Sequence, residues 1–414
     1  MNAKRGLIVN HEQFNDRKRV NEKALLFIIA ALFLVSSACT KKALYKTTRW
    51  GVPIVRVLVA DEQPYVAIYS ETIVSVRSSR KDFKLKAFDT LTNAQTDNYQ
   101  FPLEFENKRG VPIFVSGIGY PGKVNVLLNS QLKVINVIDM ETYVKGVVPH
   151  EIGTRPIDEL EVVKAQAIAA RTYAIKHLNL DRNPTYDLVA SVYDQVYKGF
   201  QYRNALSDSA VTATYGEIIA YNGEPIEAKY SSTCGGITSD VTDNWGNDRV
   251  PYLRSIKDEP SPAFGAQEPF CSISRLYTWE EKFSREDFYR MIRGNLYGTD
   301  STGHIAERPS ITGFNLKRNP RSKRVTTLEI KTETDEFVFK GLDIRKVLKE
   351  EDRLLWSNYF FIKSTQDSIF IQGKGAGHGC GMCQWGAIGM AQKGYQYKEI
   401  LKHYYRGTNV KKLY

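Results

Sequence analysis

The alternation of apolar and polar positions divides the chain into β-rich flanks and one small-residue helix. From Val52 to Met140 the segments VPIVRVLV, YVAIYSETI, VPIFVS and KVNVLLNSQLKVINVIDM have strand character, with turn residues such as Pro121-Gly122 between them. They predict an antiparallel sheet or barrel-like module. Pro156 then opens PIDELEVVKAQAIAARTYAIKHL, where Asp158, Glu159 and Glu161 stand near the start and Lys176 and His177 near the end, as the helix dipole prefers. Ala165, Ala167, Ala169, Ala170 and Ala174 permit close packing, so this helix is expected to be central and covered by strands.

Further on, Tyr186 to Gly199 and Ile218 to Tyr230 read as short strands and turns, followed by SSTCGGITSD. Ser284, with Asp287 three residues later, caps a second helix before FYRMI. RVTTLEIKTETDEFVFKG is a hairpin by its alternation, and IRKVLKE after it a short helix. No repeat and no Pro/Gly/Ser-rich linker separates the halves. The pattern predicts an α+β chain, β-rich, with antiparallel sheets around a central Ala-rich helix. Its domain runs 49–414, as a β-rich part 49–140 and a second part 141–414 with an insertion near 260–311.

The first residues follow a different logic. Arg17, Lys18, Arg19 and Lys23 precede an apolar run from Ala24 to Val35 that is short for a membrane span, and Ser36-Ser37-Ala38-Cys39 is similar to a lipoprotein processing box. Residues 1–38 are therefore expected to be a signal peptide, Cys39 the lipidated residue and 39–48 a tether. An uncleaved anchor is the alternative. Either reading makes the chain an exported, membrane-anchored protein facing the periplasm or cell wall. The formal charge of +11 then points to an anionic wall polymer or membrane surface, with no nucleic acid partner.

Four of the five cysteines follow Cys39: Cys234, Cys271, Cys380 and Cys383. Export favours disulfides among them, and four thiols allow three pairings. Two other chemistries stay open. Thiolates with an imidazole can hold a tetrahedral metal, Cys380-x-x-Cys383 having the spacing for half of one, and a cysteine can act as nucleophile with His378 as base.

Two further stretches carry candidate chemistry. GVVPHEIG places Glu151 in a short loop before the central helix, where partial desolvation raises a carboxyl pKa and suits it to general acid work; the alternative is a glutamate that steadies the first helical turn. In KGAGHGCGMCQWGAIGMAQKG, Gly375, Gly377, Gly379 and Gly381 alternate with other residues and let backbone pass close to a neighbour. His378, Gln384 and Trp385 beside them either line a groove or fill the core.

VIDMETYVKGVVPHEI, ELEVVKAQAIAARTYAI and GKGAGHGCGMCQWGAIGMAQKGYQYKEILKHYYRGTNV together resemble the SpoIID/LytB family of bacterial wall proteins, from roughly Trp50 to Tyr414. The resemblance implies a peptidoglycan lytic transglycosylase acting in a cleft of the 141–414 part on MurNAc-GlcNAc strands, stripped of stem peptides, without cofactors. Glu151 would be its single acid and base, giving 1,6-anhydromuramyl ends. Arg171 would face the same cleft, or else form a structural ion pair, and His378, Gln384 and Trp385 would bind substrate. A second implied reading is a non-catalytic peptidoglycan-binding enhancer of a cell-wall amidase, and a third a zinc- or cysteine-dependent wall amidase or peptidase. Some members hold zinc through histidines and cysteines after the central helix. SVYDQVYKGFQYRN here has neither, so no metal is expected at that place, and Asp194 is expected to organise the loop.

Overall fold

Among the described residues, strand pairing starts immediately after a turn at residues 49–51. The computed structural model describes residues 45–78, 82–85, 89–92, 100–178, 185–246, 249–260, 267–298 and 309–414. The expected signal peptide 1–38, the lipidation residue Cys39 and the tether up to residue 44 lie outside them. Strand Ile54–Gln63 pairs antiparallel with Leu132–Asp139, which continues through Lys123–Leu128 and Leu103–Glu106 into a seven-stranded sheet. The short strand Leu188–Val189 adds to Ile54–Gln63 in parallel. Alternation in Leu103–Glu106 and Lys123–Leu128 sends Leu103, Phe105, Val124 and Val126 into the core, as a half-buried strand requires. A four-stranded sheet that includes Tyr65–Tyr69 and Ile113–Val115 completes the β-rich part.

Helix α1, Met140–Glu151, corrects the strand end and loop read from the sequence. Asp139 caps it, accepting from the Thr142 backbone N–H at 3.0 Å and from the Thr142 hydroxyl at 2.7 Å. Gly146 and Pro149 look like breakers in the sequence, yet both are buried in this helix. Packing explains Gly146: a Cβ there would run into the Tyr197 ring and the Gly199 carbonyl. A 3-10 turn, Ile157–Glu159, then leads into helix α2, Leu160–His177, the expected Ala-rich helix. It is buried almost all round. Its cover is mainly helical, from α1, α3 (Ala205–Ala213), α5 (Gln384–Gln392) and α6 (Tyr397–Tyr404), with strand Glu217–Tyr221 beside it. The alanines admit helix backbones more readily than the expected layer of strands.

The remaining elements follow the sequence closely. Ser284 accepts from the Asp287 backbone N–H at 3.0 Å and starts α4, Arg285–Tyr297. Val325–Thr332 pairs with Glu336–Lys340 as the expected hairpin, and a short helix follows at Asp343–Val347. These elements, with strands Phe360–Ser364 and Ser368–Lys374, enclose a second apolar core around Phe288, Ile292, Leu328, Ile330, Phe360 and Ile371. Tyr45–Tyr414 form one compact unit, and among the described residues no helix is long and apolar enough to cross a membrane.

Candidate active site

Glu151 is the last residue of α1, and its side chain leaves the helix toward two partners from distant segments. The Val196 backbone N–H donates to Oε1 at 2.9 Å. Gln384, the first residue of α5, donates from Nε2 to the Glu151 carbonyl at 2.9 Å and lies 3.5 Å from Oε2. Gln384 Nε2 also lies 3.4 Å from Gln166 Oε1, on the central helix. Burial pushes the Glu151 carboxyl up to about 7, against the opposing pull of the hydrogen bonds from Val196 and Gln384. No charged neighbour contributes to that shift. The residue as a whole is part-buried, and its carboxyl changes protonation state near neutral pH, as a general acid and base must.

The loop that supplies Val196 is held from both sides. Asp194 accepts from the Val189 N–H at 2.8 Å and from the Tyr173 hydroxyl at 2.8 Å, the organising role expected of it. Gln195 donates to the Tyr230 hydroxyl at 2.7 Å and accepts from Tyr143 at 3.1 Å. Sequence reasoning assigned no role to Val196, Gln166, Tyr143 or Tyr230. A backbone N–H leaves no mark in a sequence, and the tyrosines are two among 24.

Of the other carboxylates near Glu151 in sequence, Asp158 is exposed, and Glu141 and Glu159 are committed elsewhere. Glu141 takes two charge-assisted hydrogen bonds from Arg171, at 2.8 and 2.7 Å, and another from the Tyr414 hydroxyl. Glu159 accepts from Gln392 at 2.7 Å and meets Arg155 at 3.5 Å. Arg171 is fully buried and also donates to the carbonyls of Glu217 and Val211. Its expected place against substrate is thereby corrected to a structural ion pair.

The glycine-rich stretch divides into parts with different surroundings. Gly381 has φ +76°, and a Cβ on it would run into the Lys229 carbonyl oxygen, so close backbone approach is the reason for glycine there. Trp385 is part-buried, with the Arg155 guanidinium 5.8 Å from its ring centroid, and Arg155 follows Glu151 by four residues. His378 is not among the groups that touch Glu151. Its Nδ1 accepts from the Cys380 N–H at 3.1 Å, its ring lies 5.2 Å from that of Trp245, and desolvation pulls its pKa down to about 3. Cys380 is buried, and desolvation pushes its thiol up to about 12. Among the described residues none of the four thiols hydrogen-bonds to the His378 ring, so the structure does not assemble the nucleophile-and-base pair.

The cysteines are likewise sorted by the fold. All four described ones are free thiols, which does not meet the expectation of disulfides. Cys234, Cys271 and Cys383 come together with Asp258, while Cys380 stays outside that group. Cys380-x-x-Cys383 is therefore not half of one site.

An α+β scaffold with one protonatable acid, held by a backbone N–H and a glutamine amide, defines a candidate acid–base site. Residues 128–221, which include Glu151 and Arg171, match the family described as Stage II sporulation protein, and residues 266–381 match a domain of unknown function. The chain is 36% identical over 315 residues to an uncharacterized protein of Brachyspira hyodysenteriae, covering 75% of this chain and 77% of that one. It is 33% identical over 307 residues to Stage II sporulation protein D of Bacillus amyloliquefaciens, covering 70% and 79%. It is also 29% identical over 290 residues to the amidase enhancer of Bacillus subtilis, covering 64% of this chain and 40% of that protein. The chain belongs to the stage II sporulation protein D family. That membership supports a cell-wall-related role.

Proposed function

We propose that the chain is a peptidoglycan lytic transglycosylase in which Glu151 serves as both acid and base. The observation that carries this reading is the carboxyl itself, raised to about 7 by burial with no charged neighbour involved. Protonated Glu151 donates to the glycosidic oxygen between MurNAc and GlcNAc as the C1–O bond breaks and an oxocarbenium-like centre forms. The resulting carboxylate, held by Val196 and Gln384, takes the proton of the sugar's own 6-hydroxyl, whose oxygen closes on C1. One proton leaves and one returns, so no second carboxylate is needed. A hydrolase would ordinarily require one about 5 to 10 Å away, and Glu141, Glu159 and Asp194 are otherwise engaged.

Exposed side chains in the segments that adjoin the acid along the chain suit a sugar strand. Val192 and Tyr193 stand in the Val196 loop, Ile157 in the turn after α1, and Tyr202 lies edge-on to His150. Aromatic faces of this kind offer stacking area to pyranose rings, and Trp385 beside Arg155 fits the same use. The test incubates the full chain, in detergent, with peptide-free glycan strands and looks for anhydromuramyl ends by mass spectrometry. Products from the natural chain and none from Glu151→Gln are expected; strand binding without products from either would sink the enzyme.

Similarity to an amidase enhancer favours a second reading, in which the chain binds peptidoglycan and stimulates a wall amidase without cutting glycan. Stimulation that survives Glu151→Gln, with no anhydro ends, would select it. Under either reading we place the protein outside the cytoplasm, lipid-anchored through Cys39. Palmitate labelling that persists in Cys39→Ser would rule the anchor out.

A further inference from the structure

Three thiols and one carboxylate converge from parts of the chain that are remote in sequence. Cys234 comes from the turn after strand Tyr230–Ser231, Cys271 from the 3-10 turn Phe270–Ile273, and Cys383 is the N-cap of α5. Asp258 completes the group. All four are buried, and their ligand atoms lie within 4.8 Å of one another. The Cys234 and Cys271 sulfurs are 3.6 Å apart. A disulfide brings sulfurs to about 2.05 Å, whereas two thiolates on a tetrahedral zinc, each about 2.3 Å from the metal, stand about 3.8 Å apart.

The surroundings are arranged for anions. The Cys234 N–H donates to the Cys383 sulfur at 3.1 Å, the Gly386 N–H to the same sulfur at 3.3 Å, and the Gly236 N–H to the Cys271 sulfur at 3.3 Å. Backbone donors of this kind orient metal-bound thiolates. Asp258 accepts from the Tyr404 hydroxyl at 2.6 Å and from the Cys271 N–H at 3.0 Å, so both oxygens are aimed. Among the described residues no Lys or Arg pairs with this fully buried carboxyl, so it can carry charge there only beside some other cation. A Cys234–Cys271 disulfide would leave that carboxyl with no cation to ligate, and Cys383 as a lone thiol with two backbone donors. A divalent cation accounts for all four groups together.

We propose that Cys234, Cys271, Cys383 and Asp258 form a closed, structural zinc site. Four protein ligands leave no open position, so the ion holds the fold and does no chemistry on substrate. Each thiol gives up its proton on binding. What the site holds matters for the acid: Cys383 immediately precedes Gln384, whose amide rests on Glu151. Zinc thereby pins the start of α5, and with it one partner of the acid, to the Cys234 turn and the Cys271 segment. The inference rests on the thiol and carboxylate geometry and stands apart from the glycan-cleaving reading.

The test uses the full chain, produced without a metal-binding tag and purified in detergent without chelator. Elemental mass spectrometry is expected to find about one zinc per chain, released when the thiols are titrated with a mercurial. Cys271→Ser and Cys383→Ser should lose the metal, and Cys380→Ser should keep it. Because serine variants can fail to fold, cobalt is also exchanged into the natural chain and into Asp258→Cys. The natural chain should show thiolate-to-cobalt charge transfer, and Asp258→Cys a stronger band from its fourth thiolate. Zinc-free protein with freely titrating thiols, or a Cys234–Cys271 disulfide in peptide mapping, would overturn the proposal. So would loss of metal in Cys380→Ser, or a cobalt spectrum without thiolate bands.

Discussion

Replacing Glu151 by glutamine is expected to abolish glycan cleavage and, at alkaline pH, to stabilise the fold. The carboxyl pKa is raised from 4.5 to about 7 by burial. Between those values the native chain keeps a proton that the unfolded chain releases, so stability falls as pH rises through that window and is level above it. At about 1.36 kcal/mol per pKa unit, the penalty above neutrality is about 3 kcal/mol. Glutamine carries no charge, and its carbonyl oxygen can still accept from the Val196 N–H. Glu151→Gln should therefore match the natural chain in acid below pH 4.5 and exceed it by roughly 2 to 3 kcal/mol at about pH 8. Urea unfolding of both proteins across that pH range reads the difference directly. Parallel stability curves would refute the buried-acid reasoning, whatever the variant does to activity.

Other substitutions probe the support of the site. Gln384→Ala removes a hydrogen bond that favours ionised Glu151, so the alkaline limb of the pH–rate profile should move to higher pH and the plateau rate fall about tenfold or more; an unmoved limb would show that the amide does not touch the acid in solution. Arg171→Met leaves Glu141 buried without its cation and should cost about 3 to 5 kcal/mol in denaturant unfolding. Any active fraction of that variant should keep its affinity for glycan strands, because Arg171 has no exposed surface; weakened strand binding by a fully folded variant would return it to the cleft. Gly381→Ala forces a side chain onto a left-handed residue facing the Lys229 carbonyl and should lose at least about 1 to 3 kcal/mol, visible as a lower melting temperature.

Features set by local physics were legible in the chain. The Ser284 cap, the hairpin of Val325–Thr332 with Glu336–Lys340, and the alanine helix each depend on neighbours a few residues away. Helix α1 was not legible, because Gly146 and Pro149 read as breakers and only the approach of Tyr197 makes glycine the fitting residue. Arg171 illustrates a second limit. A cation in a second block of the same family resemblance reads as a helper of the acid, but its partner, Glu141, is identified only when two helices pack.

The sequence alone determined the α+β class, the central helix and the close backbone approach of the glycine run, whereas Glu151 was singled out only through the family resemblance. These rest on periodicity, capping and motif, which act over short stretches. Tertiary structure alone decided what surrounds that acid and which cysteines meet. Val196 reaches Glu151 across 45 residues and Gln384 across 233. Cys383 joins Cys234 and not its sequence neighbour Cys380, because desolvation, hydrogen bonding and metal-ligand geometry depend on distances in space, and a chain brings residues together without regard to their separation along it.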